Sequence, residues 1–260
     1  MSGLVFCEKH GGVTHIVLNS PPANAMSSEF MLDLETALVE VESDESCRAV
    51  IFRSDVKKIF MAGADLKELL SISEEESKAY FGQGQKYVSR VEELSKPTIA
   101  VLNGHTMGGG CELALCCDFR YMVDTKARIG LPEVTLGLLP GAGGTQRLPR
   151  LIGRRKAVDL LFRGRTLTGP EALSIGLVDA VFPAETLLEE SVKLAEELAQ
   201  GATKAIGEIK KCLRVPFEDM SSRGFVQEVE GILYLFNRTH DTKEGIRAFN
   251  EKRPPKYTGQ

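Results

Sequence analysis

The chain has 260 residues, 43% of them hydrophobic, and carries a formal net charge of −4. This length and apolar content are enough for one sizeable buried core, as in an ordinary soluble enzyme. A negative net charge provides no overall basic field, so electrostatic capture of nucleic acid or of an anionic membrane is disfavoured.

Six cysteines show no CxxC pairing and mostly lie among apolar residues, as buried thiols do: Cys7, Cys47, Cys111, Cys116, Cys117 and Cys212. They favour a reducing compartment and predict neither a metal site nor a disulfide scaffold. The first nine residues have only a short apolar run and include Glu8, so no signal or transit peptide is expected. No run is long enough to cross a bilayer. We predict a cytoplasmic protein that does not contact membranes, although a mature organelle protein whose transit peptide has been removed would have the same sequence features.

Apolar runs typical of strands recur with helical patterns between several of them. The alternation predicts an α/β layered core. Capping-box patterns predict helix starts at residues 65–68, 168–171 and 241–244. A further helix is expected to bury the face formed by Phe30, Met31, Leu34, Leu38 and Val41. The strand-like runs cover residues 14–19, 49–53, 98–103, 119–123 and 176–182.

The pattern becomes helical from about residue 185 onward. We therefore divide the chain into a core, residues 1–184, and a C-terminal helical subdomain, residues 185–260. Within the subdomain, residues 225–236 are more apolar than a single exposed helix can keep in water, so we expect subunit contact to bury them.

A glycine run, residues 108–110, lies between a predicted strand and a predicted buried helix. The first N–H groups of a helix lack partners within it, so the Gly109 N–H can bind a developing anion. Glu112 follows three residues later, on the same helix face. A second segment, residues 60–65, also has the pattern of exposed backbone N–H groups at the start of a helix. Tight helix packing would also explain the glycines, but the two segments together favour an oxyanion hole.

Several long motifs resemble the enoyl-CoA hydratase (crotonase) family, and they occur in the family's order over nearly the whole chain. They are Ala62–Leu66, Asn103-Gly104 with Gly108–Gly110, Pro132-Glu133 and Leu139–Arg147, flanked by similar terminal segments at residues 19–26 and 249–254. The resemblance implies a ββα spiral core, and C-terminal helices that build either trimers or hexamers made of paired trimers.

The resemblance also implies the reaction, which is reversible syn addition of water to a trans-2-enoyl-CoA, giving an (S)-3-hydroxyacyl-CoA. It assigns the oxyanion hole to the N–H groups of Ala64 and Gly109. It assigns activation of water to Glu112 and proton exchange at the α-carbon to Glu133. Both glutamates have apolar neighbours, and burial raises a carboxyl pKa, so one of them is expected to stay protonated near neutral pH.

Coenzyme A is part of the substrate, and no further cofactor or metal is expected. By family analogy the segment Ala62–Lys67 holds the adenine and pantetheine through its backbone. Lys252 matches a lysine that can reach the CoA phosphates of a neighbouring subunit, although a solvated lysine would look the same. The loop at residues 139–144 lacks the ending of a P-loop, so we expect it to form a wall of the acyl pocket. The expected substrate and CoA contacts are Ala25, Ala62, Ala64, Asp65, Leu66, Lys67, Gly109 and Lys252; helix capping alone would account for Asp65.

Two alternatives remain open from the sequence. The same oxyanion hole would serve an enoyl-CoA isomerase or another acyl-CoA lyase, although the presence of both Glu112 and Glu133 favours a hydratase. Some relatives bind RNA, but the net charge and the absence of an aromatic-basic platform disfavour this, and no nucleic acid partner is expected. Local basic patches could still bind anionic ligands, but one candidate cluster is more typical of a solvated helix face. It comprises Arg147, Arg150, Arg154, Arg155 and Lys156.

Overall fold

The computed structural model describes residues 3–214, 234 and 238–260. In chain order its strands are β1 (Val5–His10), β2 (Val13–Leu18), β3 (Ala25–Met26), β4 (Ala49–Ser54), β5 (Ile59–Met61), β6 (Gly63–Ala64), β7 (Thr98–Leu102), β8 (His105–Met107), β9 (Phe119–Val123), β10 (Ile129–Gly130), β11 (Thr166–Leu167) and β12 (Ala180–Phe182). The helices are α1 (Ser28–Ser43), α2 (Leu66–Ser71), α3 (Glu74–Glu93), α4 (Gly109–Cys116), α5 (Gly144–Ile152), α6 (Arg154–Arg163), α7 (Gly169–Ser174), α8 (Leu187–Gln200), α9 (Thr203–Leu213) and α10 (His240–Glu251), with a 3-10 helix at Glu133–Leu136.

The main sheet has six strands in the order β1-β2-β4-β7-β9-β12. Its first pair is antiparallel, and the other neighbouring pairs are parallel. Every residue of β2 and β7 is buried, as expected for strands of a parallel sheet covered on both faces. A second sheet has the order β11-β10-β8-β5, and β3 pairs with β6 on its own. The predicted α/β core is therefore present, and its small sheets lie where the glycine motifs occur.

Helix α1 buries the face that its sequence predicts. Phe30, Met31, Leu34, Leu38 and Val41 are all at most 1% exposed. They belong to the apolar core, and the helix packs on β1 and α3. Periodic apolar spacing was a sufficient signal here because one continuous helix covers the whole pattern.

Two of the three predicted helix starts are confirmed. Asp65 caps α2, since its carboxylate accepts the N–H groups of Lys67 at 2.9 Å and Glu68 at 3.1 Å. The reciprocal half of that box is absent in the described structure, because the Glu68 carboxylate accepts the Ser28 N–H at 3.0 Å. At residues 168–171, Thr168 is the N-cap of α7, and the Glu171 carboxylate accepts its N–H at 2.8 Å and its O–H at 2.9 Å.

The third predicted start agrees with a helix start to within one residue, but its Asp241–Glu244 capping box is wrong. Helix α10 begins one residue earlier, and the carbonyl of Gln260 accepts the N–H groups of His240 and Asp241. The Asp241 carboxylate instead accepts the N–H groups of Thr258 and Gly259, at 2.8 and 2.7 Å. The C-terminal residues thus provide part of the cap from a distance in sequence, while Thr239 Oγ1 accepts the Thr242 N–H at 3.4 Å as a local cap.

The C-terminal helices do not all stand apart from the core. Helix α8 packs on β2, β4, β7, β9 and β12, and so covers one face of the main sheet. The division at residue 184 stays a prediction. The segment 225–236, on which the expected subunit contact rests, lies outside the described residues except for Tyr234. Among the helices that are described, none has the length and apolar character needed to span a membrane.

Candidate active site

A cavity of about 210 Å³ lies where β6, α3, α4 and the 3-10 helix meet. Its lining includes six of the predicted site residues: Ala62, Ala64, Leu66, Gly109, Glu112 and Glu133. Four others, Ala25, Asp65, Lys67 and Lys252, are not among its lining residues in the described part of the chain. Ala25 pairs with Gly63, Asp65 caps α2, and Lys252 follows the end of α10. The structure therefore brings both glutamates and both expected N–H donors to one cavity.

Gly63 allows the two motifs to touch. Its φ is +100°, and a Cβ atom there would lie 3.1 Å from the Met107 carbonyl oxygen and 3.2 Å from the Gly109 nitrogen. The backbone that carries Ala64 therefore lies directly against the start of α4. The N-cap residue Gly108 offers no side chain to cap that helix. The first N–H groups of α4 thus meet the cavity without a capping side chain.

The glycines of the run serve different purposes. A Cβ atom at Gly110 would lie 2.4 Å from the Met61 carbonyl oxygen, so Gly110 is required for close backbone packing. A Cβ atom at Gly109 would meet the flexible end of Met26, with Cε at 2.7 Å. Packing therefore explains Gly110 by itself, whereas Gly109 lines the cavity with its backbone.

Glu112 lies within α4 and is only 2% exposed. Its Oε1 accepts the N–H groups of Ala142 at 2.7 Å and Gly144 at 2.8 Å. Burial raises the pKa of this carboxyl above its ordinary value, and the two N–H groups and the Arg147 charge only partly oppose the effect. Glu112 is therefore a buried carboxyl held in one orientation by the loop that precedes α5.

Arg147 holds that loop, so the predicted solvated helix face is wrong for this residue. Its guanidinium donates to the Ala142 carbonyl oxygen at 3.0 Å and to Glu92 Oε2 at 2.8 Å. The φ of Gly143 is +103°, and a Cβ atom there would lie 1.9 Å from Arg147 Nη1. The loop folds back over the start of α5, and this turn directs the Ala142 carbonyl toward Arg147. Arg150 and residues 154–156 are exposed, as expected.

Glu133 begins the 3-10 helix and faces the start of α4. A Cβ atom at Gly108 would lie 3.3 Å from its Oε1. Its Oε2 is buried and has no hydrogen-bond partner among the described residues. Burial and the nearby Glu112 charge raise the pKa of Glu133 to about 7. This matches the expectation that one carboxyl of the pair stays partly protonated near neutral pH.

Helix α3 contributes residues that sequence reasoning missed. Tyr80 and Phe81 line the cavity, and their rings meet edge to face at 5.4 Å. The Ser73–Glu76 capping box at the start of this helix is the sequence signal that could have located it. Nothing local in the sequence marks Tyr80 as facing the cavity.

Most of the remaining lining is apolar. The predicted wall is present, since Leu139, Gly141 and Ala142 of the loop line the cavity. Further apolar lining side chains are Met26, Leu66, Leu69, Pro132, Leu136 and Leu138. An apolar chain fits this surface, and the two glutamates provide its ionisable groups.

A separate cluster on the β1–β2 hairpin places potential ligand atoms of Glu8, His10 and His15 within 4.8 Å of one another. Arg53 already donates to His15 Nδ1 at 3.2 Å and to Glu8 Oε2 at 2.5 Å. Its positive charge and these hydrogen bonds compete with a cation for the same lone pairs. We therefore interpret the cluster as an ion-pair network.

Comparison with known proteins identifies the family. The sequence profile described as enoyl-CoA hydratase/isomerase matches residues 8–260. Crotonyl-CoA hydratase of Syntrophomonas wolfei is 36% identical over 254 residues, covering 97% of each chain. Human enoyl-CoA hydratase domain-containing protein 2, mitochondrial, is 39% identical over 96% of this chain and 86% of its own length.

Solved structures agree. An enoyl-CoA hydratase of Geobacillus kaustophilus superposes with a TM-score of 0.93 at 38% identity, covering 100% of this chain and 98% of the other. The enoyl-CoA hydratase of Bacillus anthracis superposes with a TM-score of 0.92 at 36% identity, covering 99% of this chain and 100% of the other. The expected crotonase fold, with its C-terminal helices, is confirmed. With a family profile that matches almost its whole length and relatives this similar, the chain belongs to the enoyl-CoA hydratase/isomerase family.

Proposed function

We propose that the protein is an enoyl-CoA hydratase that adds water reversibly, in syn fashion, to trans-2-enoyl-CoA and gives (S)-3-hydroxyacyl-CoA. One observation carries the proposal: Glu112 and Glu133, both with raised pKa, line the same apolar cavity as Ala64 and Gly109. We further propose that the reaction serves fatty acid or related acyl-CoA degradation.

The two backbone N–H groups supply the oxyanion hole. When water adds to the β-carbon, negative charge moves onto the thioester oxygen and an enolate-like species forms. Donors that already point at that oxygen stabilise the charge more strongly than they stabilise the neutral substrate. Ala64 and Gly109 are the proposed donors, since Gly63 packs their segments together.

The two carboxyls divide the proton transfers. Glu112, held by two N–H groups, orients the water and accepts its proton as the oxygen bonds to the β-carbon. Glu133, whose pKa is about 7, delivers a proton to the α-carbon from its protonated form. In the reverse direction each group does the opposite. Both steps use side chains of this chain, so the proposed reaction needs no cofactor beyond the CoA of the substrate.

We further propose that Ala25 and the segment Ala62–Lys67 lie along the CoA moiety, with Asp65 serving mainly as the α2 cap. Lys252 would reach the CoA phosphates of a neighbouring subunit in a trimer or hexamer. The family resemblance supports both assignments, and a cytoplasmic location remains part of the same proposal.

Replacing each glutamate by glutamine tests the two-carboxyl mechanism. Glu112→Gln and Glu133→Gln are each expected to lower kcat for crotonyl-CoA hydration at least about 10²-fold, the usual range for a lost acid–base group. Loss of enoyl thioester absorbance measures hydration, and a 3-enoyl-CoA measures isomerisation. Glu93→Gln, the same change at an exposed residue of α3, is the matched control.

An isomerase moves one proton between two carbons, so a single carboxyl can suffice. Wild-type hydration by either cavity variant, with folding verified by circular dichroism, would contradict the mechanism. A native protein that isomerised but did not hydrate would identify an isomerase instead.

A further inference from the structure

The hydroxyl of Tyr80 joins the two strands that form one side of the oxyanion hole. Tyr80 is 4% exposed, and its O–H donates to the Met26 carbonyl oxygen at 2.5 Å. The Tyr80 hydroxyl oxygen also accepts the Asp65 N–H at 3.2 Å. Met26 is the register partner of Ala64, and Asp65 is the residue after Ala64. The hydroxyl therefore holds the backbone on both sides of the Ala64 position.

The pairing of β3 with β6 depends on contacts from outside the two strands. Strands β3 and β6 have two residues each and form a sheet of their own. A ladder this short is marginal by itself, because few hydrogen bonds oppose the backbone entropy. A phenol can donate and accept at once, and Tyr80 does both. The Tyr80 side chain is itself buried, and its ring makes an edge-to-face contact with Phe81.

We propose that Tyr80 is a positioning residue for the oxyanion hole: its hydroxyl sets the direction of the Ala64 N–H toward the thioester oxygen. The inference rests on the proposed function. Oxyanion stabilisation depends on donors that are oriented before the charge develops. A donor that must first be ordered by the substrate contributes less to the rate, even though the substrate still binds.

Tyr80→Phe removes one oxygen and keeps the ring. We expect kcat for crotonyl-CoA hydration to fall about 10-fold, less than the roughly 10²–10³-fold loss of an oxyanion donor itself because the Ala64 N–H stays in place, while KM changes less than about threefold. Tyr87→Phe removes a hydroxyl from a partly buried residue of the same helix that does not line the cavity. This matched control is expected to keep wild-type kinetics.

A spectroscopic measurement separates positioning from general loosening. An aryl-substituted acryloyl-CoA absorbs at longer wavelength when hydrogen bonds polarise its carbonyl. We expect the bound chromophore to show a smaller red shift with Tyr80→Phe than with the wild type or Tyr87→Phe. Circular dichroism verifies that both variants are folded.

An unchanged red shift in Tyr80→Phe would overturn the inference, whether or not kcat falls. Failure of the proposed function gives a different result, since the wild type would then not hydrate crotonyl-CoA. A wild type that hydrates, with Tyr80→Phe equal to it in kcat and in red shift, rejects only the role of Tyr80.

Discussion

Glu133→Gln is expected to stabilise the folded protein at alkaline pH while it removes activity. The pKa of Glu133 is raised from 4.5 to about 7 in the folded protein. Between these values the folded state holds a proton that the unfolded state has lost, so folding stability falls as pH rises through this window. Below it the carboxyl is neutral in both states and costs nothing. Above it the folded protein bears the full cost of a buried charge.

The size of the effect follows from the shift. A rise from 4.5 to about 7, at about 1.4 kcal/mol for each pH unit, corresponds to roughly 3 kcal/mol for full titration. Part of the titration is already complete at pH 5, and partial solvent exposure screens the charge, so about 2 kcal/mol remains between pH 5 and pH 8. Glutamine bears no charge at either pH. The variant should therefore gain about 2 kcal/mol over the wild type when the pH is raised from 5 to 8.

Urea unfolding at pH 5, 6, 7 and 8 measures the gain as the difference in unfolding free energy between variant and wild type. Glu112 is present in both proteins, so its own titration largely cancels in the difference. Glu93→Gln is the control, and its difference should be independent of pH because that residue is exposed. A Glu133→Gln difference that is the same at pH 5 and pH 8 would refute the argument that this carboxyl is buried at a cost.

Gly109→Pro should abolish turnover in a folded protein, because proline suits the first helical position but lacks the N–H. One lost donor costs roughly 3–4 kcal/mol of transition-state stabilisation. Near-normal hydration by this variant would show that Gly109 is not part of the oxyanion hole. Arg147→Met should slow hydration and move the acidic limb of the pH–rate profile to higher pH. The positive charge of Arg147 lowers the pKa of Glu112, so its removal raises that pKa, whereas Arg150→Met should leave the profile in place. Light scattering should show a homo-oligomer, and a monomer at working concentration would exclude a role for Lys252 across an interface.

Features that are local, or that short motifs carry, could be predicted from the sequence. Apolar spacing located α1 and its buried face, and alternating runs located five strands of the main sheet. The glycine motifs identified the start of α4 and the segment around Ala64, because glycine is required wherever backbones approach closely. The resemblance singled out Glu112 and Glu133 among the acidic residues of the chain.

The tertiary structure alone decided which residues support those groups. Tyr80 and Met26 are 54 positions apart, and Arg147 and Glu92 are 55 apart, so their contacts depend on how α3 lies across the small sheets and α5. Part of the cap of α10 likewise comes from Gln260, far from the helix start in sequence. Periodicity and capping patterns report interactions within a few residues. The orientation of a donor or a carboxyl depends on long-range packing, which those patterns do not contain.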